Sequence, residues 1–565
     1  MSIGIKHPNN VVSLGVVIGG LIAIAWFSQQ LFFRVDLTTE KRYTLTETSK
    51  QFLQDLPSDL YVKVYLEGEL NTGFRRLANA SREILEEFKS EAGRSMQFEF
   101  INPDKRKATE KKALVKELEE FGFEPQTVFE NAEDGRKIQS YVFPYALVYF
   151  NERIVGVNLL ENLPSRSGSE NLNISIESLE YKFTNAFRKL IADEKPKVAF
   201  LEGHGELDEL DVIEATDALS SYYQVDRGQI GNDPAILEPY KAVIIAKPSK
   251  KFSEKDKFVL DQYLMNGGRL LYLIDAVNVT LDSLRQTPQT LGLYNDINLD
   301  DQLFKYGIRV NPVVVEDIQA GRILMNAKPQ GQPQLVPVPW LYSPLLAAAQ
   351  HHPITRNINL VRGGFVGTID TVANDLNLNR QVLLRTSQYT KINNTPVFVS
   401  MADVNKQPKQ EDFSASHQIA AIIQEGVFSS VFSNRRVPKA LNSNIQVKET
   451  SIPTRIMVVA DGDIIRNDVR FKTTNPQIMP LGYDEGSKQV YGNKDFIVNA
   501  VNYLCDEDGW MQLRGRHLTL RLLDRQKLTD GTGFWKWLNV GLPIFLVVLG
   551  SVLFIFLRHR RYGKS

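Results

Sequence analysis

The chain has 565 residues, which is long enough for several domains with hydrophobic cores of their own. Lysine plus arginine and aspartate plus glutamate both number 66, so the net charge is zero and no global field favours a nucleic-acid partner. The single cysteine, Cys505, excludes an internal disulfide and a cysteine-based zinc site, and we expect it to be a small buried hydrophobic side chain.

Residues 11–33, VVSLGVVIGGLIAIAWFSQQLFF, contain no charge. At about 1.5 Å per residue a helix of this length crosses a hydrocarbon core of roughly 30 Å. The run is longer than the apolar part of a signal peptide, and no small-residue cleavage site follows it. We therefore predict an uncleaved membrane anchor over 11–33, preceded by a cytoplasmic N-terminus over 1–10.

A polar juxtamembrane segment, 34–57, leads to a first predicted module, 58–193. Alternating strands are expected at 60–68 and 96–102, amphipathic helices at 74–92, 113–122 and 174–192, and a hairpin at 141–160 that turns on Asn151–Glu152. This order, with Pro144 directly before the hairpin, predicts a thioredoxin-like module. Because no Cys-x-x-Cys motif is present, redox chemistry is excluded and the module is structural or an interaction surface.

From residue 194 the pattern changes to continuous apolar strands that alternate with helices. Strands are predicted at 198–203, 242–248, 269–275 and 455–461, and helices at 207–222 and 253–266. Such strands are typical of a parallel sheet covered on both faces. The proline-rich segment 328–353 is predicted to be an extended excursion, and 401–415 and 434–452 to be polar surface loops.

A second apolar run near the C-terminus predicts a transmembrane helix over 535–557. Trp535 and Trp537 stand where indoles prefer a membrane interface, and the basic tail 558–565 follows the span. The arginines of the tail are Arg558, Arg560 and Arg561. This cationic flank predicts that both termini are cytoplasmic, so the bulk of the chain would be periplasmic in a bacterial inner membrane.

Polar side chains cluster where the predicted parallel strands end. They are Glu202, His204, Glu206, Lys247, Asp275 and Asp461. Because ligands of such sheets bind beyond the carboxyl ends of the strands, we predict a candidate cleft for a ligand or a partner here. For His204 itself a second interpretation stays open, in which its ring bonds a nearby carboxylate and holds a strand-to-helix turn together.

The sequence does not favour catalysis at this edge. The turn AVIIAKPSKKF offers Ser249 but no cysteine, and Ser249 lacks the Gly-x-Ser-x-Gly setting of an exposed nucleophile. No second histidine lies at metal-ligand spacing from His204. We therefore predict no catalytic residue, no metal and no cofactor, and we expect the protein not to be an enzyme.

Three features of the sequence together resemble one family. These are RVDLTTEKRYTLT after the first anchor, LEGHGE in the body, and a trailing anchor with a basic tail. They resemble the GldG family, the gliding-motility-associated ABC transporter auxiliary subunits of Bacteroidetes. The resemblance implies a substrate-binding-like, non-ATPase subunit that works beside a multi-span permease and a separate ATPase, linked to gliding and secretion machinery.

The resemblance also implies a fold for the second module. Residues 194–530 would form a flavodoxin-like, glutamine-amidotransferase-like α/β domain with insertions, similar to a domain of an intraflagellar transport protein that has been suggested to bind sugars. The complete expectation is an α/β protein with two spans, a thioredoxin-like module and this parallel-sheet domain in the periplasm. No catalytic residue is carried over, because the chain offers no nucleophile to receive the role.

Two other functions remain as alternatives. One is a membrane-anchored carbohydrate- or peptide-binding receptor, and the other is an amidotransferase-like hydrolase. A sugar site would use aromatic platforms, for which Tyr222, Tyr223, Tyr272 and Trp340 are candidates. The anchors favour a subunit fixed to a permease, since a freely diffusing binding protein needs none.

Overall fold

The computed structural model divides the chain into two units, Met1–Arg516 and His517–Ser565. The residues that the structure describes are 18–20, 44–131, 137–164, 166–192, 194–328, 332–373, 378–438, 447–470, 475–515 and 532–562. The predicted boundary between 193 and 194 lies inside the first unit, and the division into two modules stays a prediction.

The N-terminal part of the first unit contains helices and strands in the order α-β-α-β-α, two hairpins and a long final helix. They are α1 (Glu47–Gln54), β1 (Leu60–Val64), α2 (Thr72–Ala92), β2 (Met96–Phe100), α3 (Ala108–Glu120), β3 (Gln126–Asn131), β4 (Lys137–Val142), β5 (Tyr145–Phe150), β6 (Arg153–Asn158) and α4 (Gly168–Ile191). The β5–β6 hairpin turns at Asn151 as predicted, since Phe150 pairs with Arg153 and Asn151 has a φ of 52°.

A four-stranded sheet in the order β2-β1-β5-β6 organises this part. Strand β1 is parallel to β2 and antiparallel to β5, and β5 is antiparallel to β6. The apolar faces of α2 and α4 meet over the sheet, where Phe88 makes edge-to-face contacts with Phe183 and Phe187. The separate hairpin β3–β4 was not predicted.

The rest of the first unit begins with strands and helices in alternation and continues with many short strands. The elements are β7 (Lys197–Glu202), α5 (Ile213–Ser220), β8 (Gln224–Gln229), β9 (Tyr240–Ala246), α6 (Glu254–Met265), β10 (Arg269–Leu273), α7 (Leu281–Gln286), β11 (Gln289–Gly292), α8 (Asp300–Lys305), β12 (Ile308–Asn311), β13 (Val313–Asp317), β14 (Ala320–Asn326), β15 (Leu335–Ala348), β16 (Val361–Arg362), β17 (Thr368–Thr371), β18 (Asn379–Arg385), β19 (Thr390–Asn394), β20 (Val397–Ser400), β21 (Ile419–Gly426), β22 (Thr454–Val459), β23 (Val469–Arg470), β24 (Gln477–Ile478), β25 (Tyr483–Asp484), β26 (Gln489–Val490), α9 (Asn493–Leu504) and α10 (Gln512–Gly515).

The largest sheet has the strand order β14-β15-β18-β21-β22-β10-β9-β7-β8, with β16 paired to β15. Strands β8, β7, β9, β10 and β22 are mutually parallel, which confirms the predicted parallel sheet. Numbered by their position in the chain, these strands have the order 2-1-3-4-5, which is the order of flavodoxin-like folds. The chain order therefore reverses at β7, between its neighbours β8 and β9.

The central strands are apolar throughout because both of their faces are covered. Ile244 of β9 packs in one core with α5 and α9, whereas its neighbours Val243 and Ile245 pack in the opposite core with α6. Successive side chains of a strand point to opposite faces, so an unbroken apolar run supplies both cores. This arrangement leaves the ends of the strands as the positions for polar groups.

Two predictions for this region differ from the structure. The helix expected at 207–222 begins only at Ile213, because residues 203–209 form the loop that holds His204. The proline-rich segment is extended but belongs to the sheet as β15. Pro337 and Pro339 lie where β15 borders only β14, so their missing N–H groups cost no hydrogen bond on the other side.

The second unit contains the helix α11 (Thr532–Tyr562). Within the described ranges, Thr532–Arg560 is the one helix that is long and apolar enough to cross a membrane, judged by length and composition. The predicted first span, 11–33, lies outside the described residues except for 18–20, which are helical. The existence of two spans therefore stays a prediction.

Candidate ligand site at the carboxyl edge of the central sheet

The loops that follow β7 and β9 meet at the point where the strand order reverses. The carbonyl oxygen of His204, after β7, accepts hydrogen bonds from the backbone N–H groups of Ser249 and Lys250, after β9, at 2.9 and 2.8 Å. Crevices at such reversal points are where ligands of open parallel sheets bind. The two loops thus bring the predicted site residues His204 and Lys247 to one edge.

Two glycines give the first loop its shape. Gly203 and Gly205 have φ values of 112° and 71°, in the region that favours glycine. A β-carbon on Gly205 would also clash with Ser249 Oγ, which donates a hydrogen bond to the Gly205 carbonyl at 3.0 Å. Glycine at positions 203 and 205 is therefore required by the turn itself.

The ring of His204 is buried and fully engaged. Its Nδ1 lies 3.1 Å from Glu206 Oε1 and its Nε2 lies 3.2 Å from Asp256 Oδ2, while the ring stacks on Phe252 with 3.7 Å between centroids. Burial alone would lower the pKa of His204, but the hydrogen bonds to Asp256 and Glu206 outweigh it and raise the pKa from 6.5 to about 9. His204 is thus a charged clamp between two loops and α6.

Glu202, the last residue of β7, faces a different partner. Its Oε1 lies 2.8 Å from Nε of Arg227, and the same guanidinium donates a hydrogen bond to the Leu207 carbonyl at 2.9 Å. Glu202 therefore ties the loop to β8 instead of joining the His204 cluster.

Lys247 is the centre of a second cluster, built from the ends of β9, β10 and β22. Its Nζ lies 2.9 Å from Asp275 Oδ2 and also bonds Asp463. Asp275 accepts a hydrogen bond from the Gly462 N–H at 2.6 Å, and Asp461 accepts from Gly364 and Asp463 at 2.8 and 2.7 Å. The predicted residues Lys247, Asp275 and Asp461 are thus brought together.

The pKa values of the carboxyl groups and the lysine in this cluster are shifted from their usual values. Burial raises the pKa of Asp275 despite the nearby Lys247 cation, and burial with the charges of Asp463 and Asp275 raises the pKa of Asp461 well above its usual value. Burial opposes the charged form of Lys247, but Asp275 and Asp463 outweigh it and raise the pKa of the lysine. Lys247 is consequently the cation that pairs with two of the three carboxyl groups, Asp275 and Asp463.

A cavity of about 70 Å³ adjoins this cluster and includes Asp463 and Arg466 in its wall. Its other side is aromatic, with Trp340, Tyr342 and Phe365 in mutual ring contact. The space is large enough for a few waters or a small polar group.

Two guanidinium groups in the cavity wall are incompletely bonded. Among the described residues, Nε of Arg362 and Nε of Arg466 are buried and make no hydrogen bond. They lie only within ion-pair distance of carboxylates, 3.7 Å from Asp484 and 3.6 Å from Asp211 respectively. The cavity therefore offers two donors that a bound water or ligand could use.

The candidate aromatic platforms do not form one site. Trp340 lines the cavity described above, whereas Tyr272 is wholly buried in the core. Tyr222 and Tyr223 line a different cavity, at the opposite edge of the sheet.

The groups that nucleophilic chemistry would use have other contacts. Ser249 Oγ contacts the Gly205 carbonyl, and burial raises the pKa of the Cys505 thiol to about 12. In the described part of the chain, no three histidine, cysteine or acidic residues are placed so as to hold a metal ion.

Sequence reasoning missed several members of these clusters, namely Phe252, Asp256, Asp463 and Arg466. A signal existed for two of them. Asp463 follows Asp461 by two residues in the same turn, and Asp256 stands three residues after the helix N-cap Ser253. Nothing in the sequence pairs Phe252 with His204.

Solved structures with some likeness to the chain are distant. The mmIFT52 N-terminal domain shares 14% identity at a TM-score of 0.31, with 55% of this chain and 98% of that chain covered. A putative ThuA-like protein from Parabacteroides merdae ATCC 43184 shares 10% sequence identity at a TM-score of 0.25, with 55% of this chain and 90% of that chain covered. The exo-beta-1,4-mannosidase Op5Man5 from Opitutaceae bacterium strain TAV5 shares 11% sequence identity at a TM-score of 0.18, with 62% of this chain and 40% of that chain covered.

Sequence comparisons are more specific. No curated protein matches the chain. A model for a domain of unknown function, DUF7088, matches residues 39–149. A family model described as an ABC-type uncharacterized transport system matches residues 195–500, which is more than half of the chain and includes His204, Lys247, Asp275 and Asp461. The chain therefore belongs to this family of ABC-type transport auxiliary proteins.

Proposed function

We propose that the protein is a membrane-anchored, non-ATPase auxiliary subunit of an ABC transporter complex of the GldG type, associated with gliding motility and secretion. The observation that carries this proposal is that one chain contains both the family region, residues 195–500, and the apolar helix Thr532–Arg560. Membership of an ABC transport family implies a permease and an ATPase as partners.

The C-terminal helix supports attachment to the inner membrane. Trp535 and Trp537 stand at its beginning, and Arg558 and Arg560 at its end. Cationic residues that flank a span favour the cytoplasmic side. With a first span over 11–33, both termini would be cytoplasmic, the large α/β body would be periplasmic, and the two spans would face the permease.

The strand orders support a proposal for the domain organisation. We infer a thioredoxin-like module over 58–193, which the order β2-β1-β5-β6 and the antiparallel β5 support. We infer an amidotransferase-like domain with insertions over 194–530, supported by the 2-1-3-4-5 order of its parallel strands. Without a nucleophile or a Cys-x-x-Cys motif, we assign neither module a catalytic step.

The carboxyl edge of the central sheet is the surface that we assign to substrate or partner binding. The predicted residues Lys247, Asp275 and Asp461 support the wall of the small cavity through Asp463, and His204 fixes the neighbouring loop. Their role would be to hold the edge in shape, while Arg362 and Arg466 would contact the bound group.

A mild-detergent pulldown of the full-length protein from its native cells, read by mass spectrometry, tests the main proposal. We expect a multi-span permease and an ATPase to co-purify. The matched control replaces 532–562 by an unrelated span of the same length, which we expect to reduce recovery of the permease. Recovery of wild-type protein only as an isolated monomer would contradict the proposal.

A membrane-anchored carbohydrate- or peptide-binding receptor is the second candidate function. The aromatic group of Trp340, Tyr342 and Phe365 beside guanidinium groups is the observation that favours it, because sugar sites combine aromatic faces with a few polar groups; the cavity of about 70 Å³ would admit one small polar substituent of such a ligand. A thermal-shift screen with oligosaccharides and peptides tests it. Stabilisation that Trp340→Leu abolishes would support a receptor, and the absence of any stabilising compound would count against it.

A further inference from the structure

A second cavity, of about 230 Å³, lies at the opposite, amino edge of the central sheet. Its wall includes the C-terminal end of α4 and three residues from other elements. Pro196 directly precedes β7, Lys241 lies at the start of β9, and Cys505 lies at the end of α9. None of the residues assigned to the carboxyl-edge site lines it.

Lys189 of α4 is the unusual charge in this cavity. Its ammonium lies 4.2 Å from the ring centroid of Tyr222 and forms no ion pair with any described carboxylate. Burial alone lowers the pKa of Lys189, to about 8. Lys189 is partly buried, and a cation that loses part of its hydration without gaining a counter-charge is costly, so the site is set to accept an anion.

Two other cations of the same cavity differ from Lys189 because each pairs with a carboxylate. Lys241 is paired with Glu507 at 2.8 Å, and Arg188 is paired with Asp508 at 3.0 Å. Lys195, in contrast, donates only to the Ser220 carbonyl, at 2.7 Å, among the described residues. Of the cations that line the cavity, Lys189 and Lys195 therefore pair with no carboxylate among the described residues.

The neutral groups of the wall add a polar contact and an apolar surface. Asn185 Oδ1 is buried and accepts no hydrogen bond from any described residue, although its amide donates to the Tyr222 hydroxyl at 3.0 Å. Trp510 is held rigidly by stacking on Tyr181, with 5.6 Å between centroids and 1° between planes. An anionic occupant would thus meet cations and aromatic faces, while Asn185 Oδ1 would pair only with an N–H or O–H group of the ligand.

The cavity is accessible from a larger recess. An adjoining space of about 940 Å³ shares Lys189 and Lys195 with it and also includes the exposed Lys197. Of the described side chains that line the two spaces, six are cationic and three are carboxylates. This excess of positive charge favours the entry of anions.

We propose that this cavity is a binding site for a small organic anion, whose carboxylate or phosphate group pairs with Lys189 and Lys195 and whose apolar part lies against Tyr222 and Trp510. The site is independent of the carboxyl-edge site and of the attachment to a permease. It can therefore be tested on the isolated full-length protein.

Thermal unfolding of the full-length protein in detergent, at constant ionic strength, tests the proposal with four probes. The probes are phenyl phosphate, inorganic phosphate, benzoate and the neutral benzyl alcohol. We expect a saturable rise in Tm with phenyl phosphate, benzoate or both, a smaller rise with inorganic phosphate, and none with benzyl alcohol. A shift with only one organic anion identifies the preferred acidic group.

The variant Lys189→Met distinguishes binding from a general salt effect. We expect it to weaken the apparent affinity for the anion about tenfold or more, while Tm without anion stays the same or rises, because an unpaired charge is removed. The matched control is Lys182→Met on the same helix, where Lys182 already pairs with Glu161 at 2.9 Å; its anion-induced shift should be retained.

The pH dependence gives a further readout. Because the pKa of Lys189 is about 8, the anion-induced shift should fade as the pH rises from 7 to 9. Lys189→Arg should keep the shift across this range, since arginine stays charged. Undiminished shifts in Lys189→Met, or no shift of the wild-type protein with any organic anion at millimolar concentration, would overturn the proposal.

Discussion

The imidazole of His204 lies flat against the phenyl ring of Phe252, with 3.7 Å between ring centroids and 11° between their planes. Glu206 and Asp256 hold the two ring nitrogens at 3.1 and 3.2 Å. With a pKa of about 9, the ring is an imidazolium at neutral pH, so it joins two loops and α6 through charge as well as through packing.

This arrangement predicts a specific pH dependence of stability. The folded pKa of His204 lies above the unfolded value of 6.5, so its contribution is fully present below pH 6.5 and is lost as the pH rises through 9. We expect His204→Gln to lower the free energy of unfolding by about 2–3 kcal/mol at pH 6 and by much less at pH 10.

Urea unfolding of the full-length protein in detergent at several pH values measures this effect. The difference between wild type and variant isolates His204, because other titrating groups are common to both proteins. His351→Gln, which changes an exposed histidine, is the control and should leave the profile unchanged. A wild-type-minus-variant difference that does not vary with pH would contradict the prediction.

The two-glycine turn predicts a difference between two glycines of similar φ. Gly205 has a φ of 71° and Gly122, which follows α3, a φ of 74°, but of these two only Gly205 is closely approached by another side chain, that of Ser249. Gly122→Ala should therefore cost only the left-handed strain, about 1 kcal/mol, and Gly205→Ala at least twice as much.

A double-mutant cycle tests the cause of this difference. Adding Ser249→Gly to Gly205→Ala should recover the steric part of the loss and leave the backbone part. Equal destabilisation by Gly205→Ala and Gly122→Ala in thermal unfolding would show that the loop adjusts, and the prediction would be wrong.

Lys247 is predicted to be essential for stability although it lies at the surface end of a strand. Lys247→Met would leave the buried Asp275 without its cation and Asp463 with Arg466 alone, and breaking a buried ion pair typically costs about 3–5 kcal/mol. Lys250→Met, three residues along the same loop and exposed, should be nearly neutral. Similar Tm values for the two variants would disprove a central role of Lys247.

The sequence located one edge of the molecule because of a simple physical rule. An apolar strand that is buried on both faces ends where polar side chains begin. The sequence therefore predicted the strand ends that precede His204, Lys247, Asp275 and Asp461. Their shared edge then followed from the parallel direction of the strands.

The partners of these residues were not predictable in the same way. Asp256 reaches His204 across 52 positions because the loop after β9 folds back toward β7, and no local pattern encodes that path. The antiparallel strands β14, β15, β18 and β21 were missed for a related reason. They are joined to the parallel strands by long insertions, and strand pairing over such separations is decided by tertiary contacts.

The C-terminal helix predicts where two tryptophans lie in a bilayer. From Trp537 to Arg558 the helix α11 rises about 31 Å at 1.5 Å per residue, which matches a hydrocarbon core. Trp535 and Trp537 should therefore lie at one interface. The fluorescence of these two residues is the difference between the wild-type protein and the double variant Trp535→Phe, Trp537→Phe. In liposomes, we expect lipids brominated near the headgroup to quench this difference more than lipids brominated near the chain end. Equal or absent quenching would place this helix outside a membrane-spanning position.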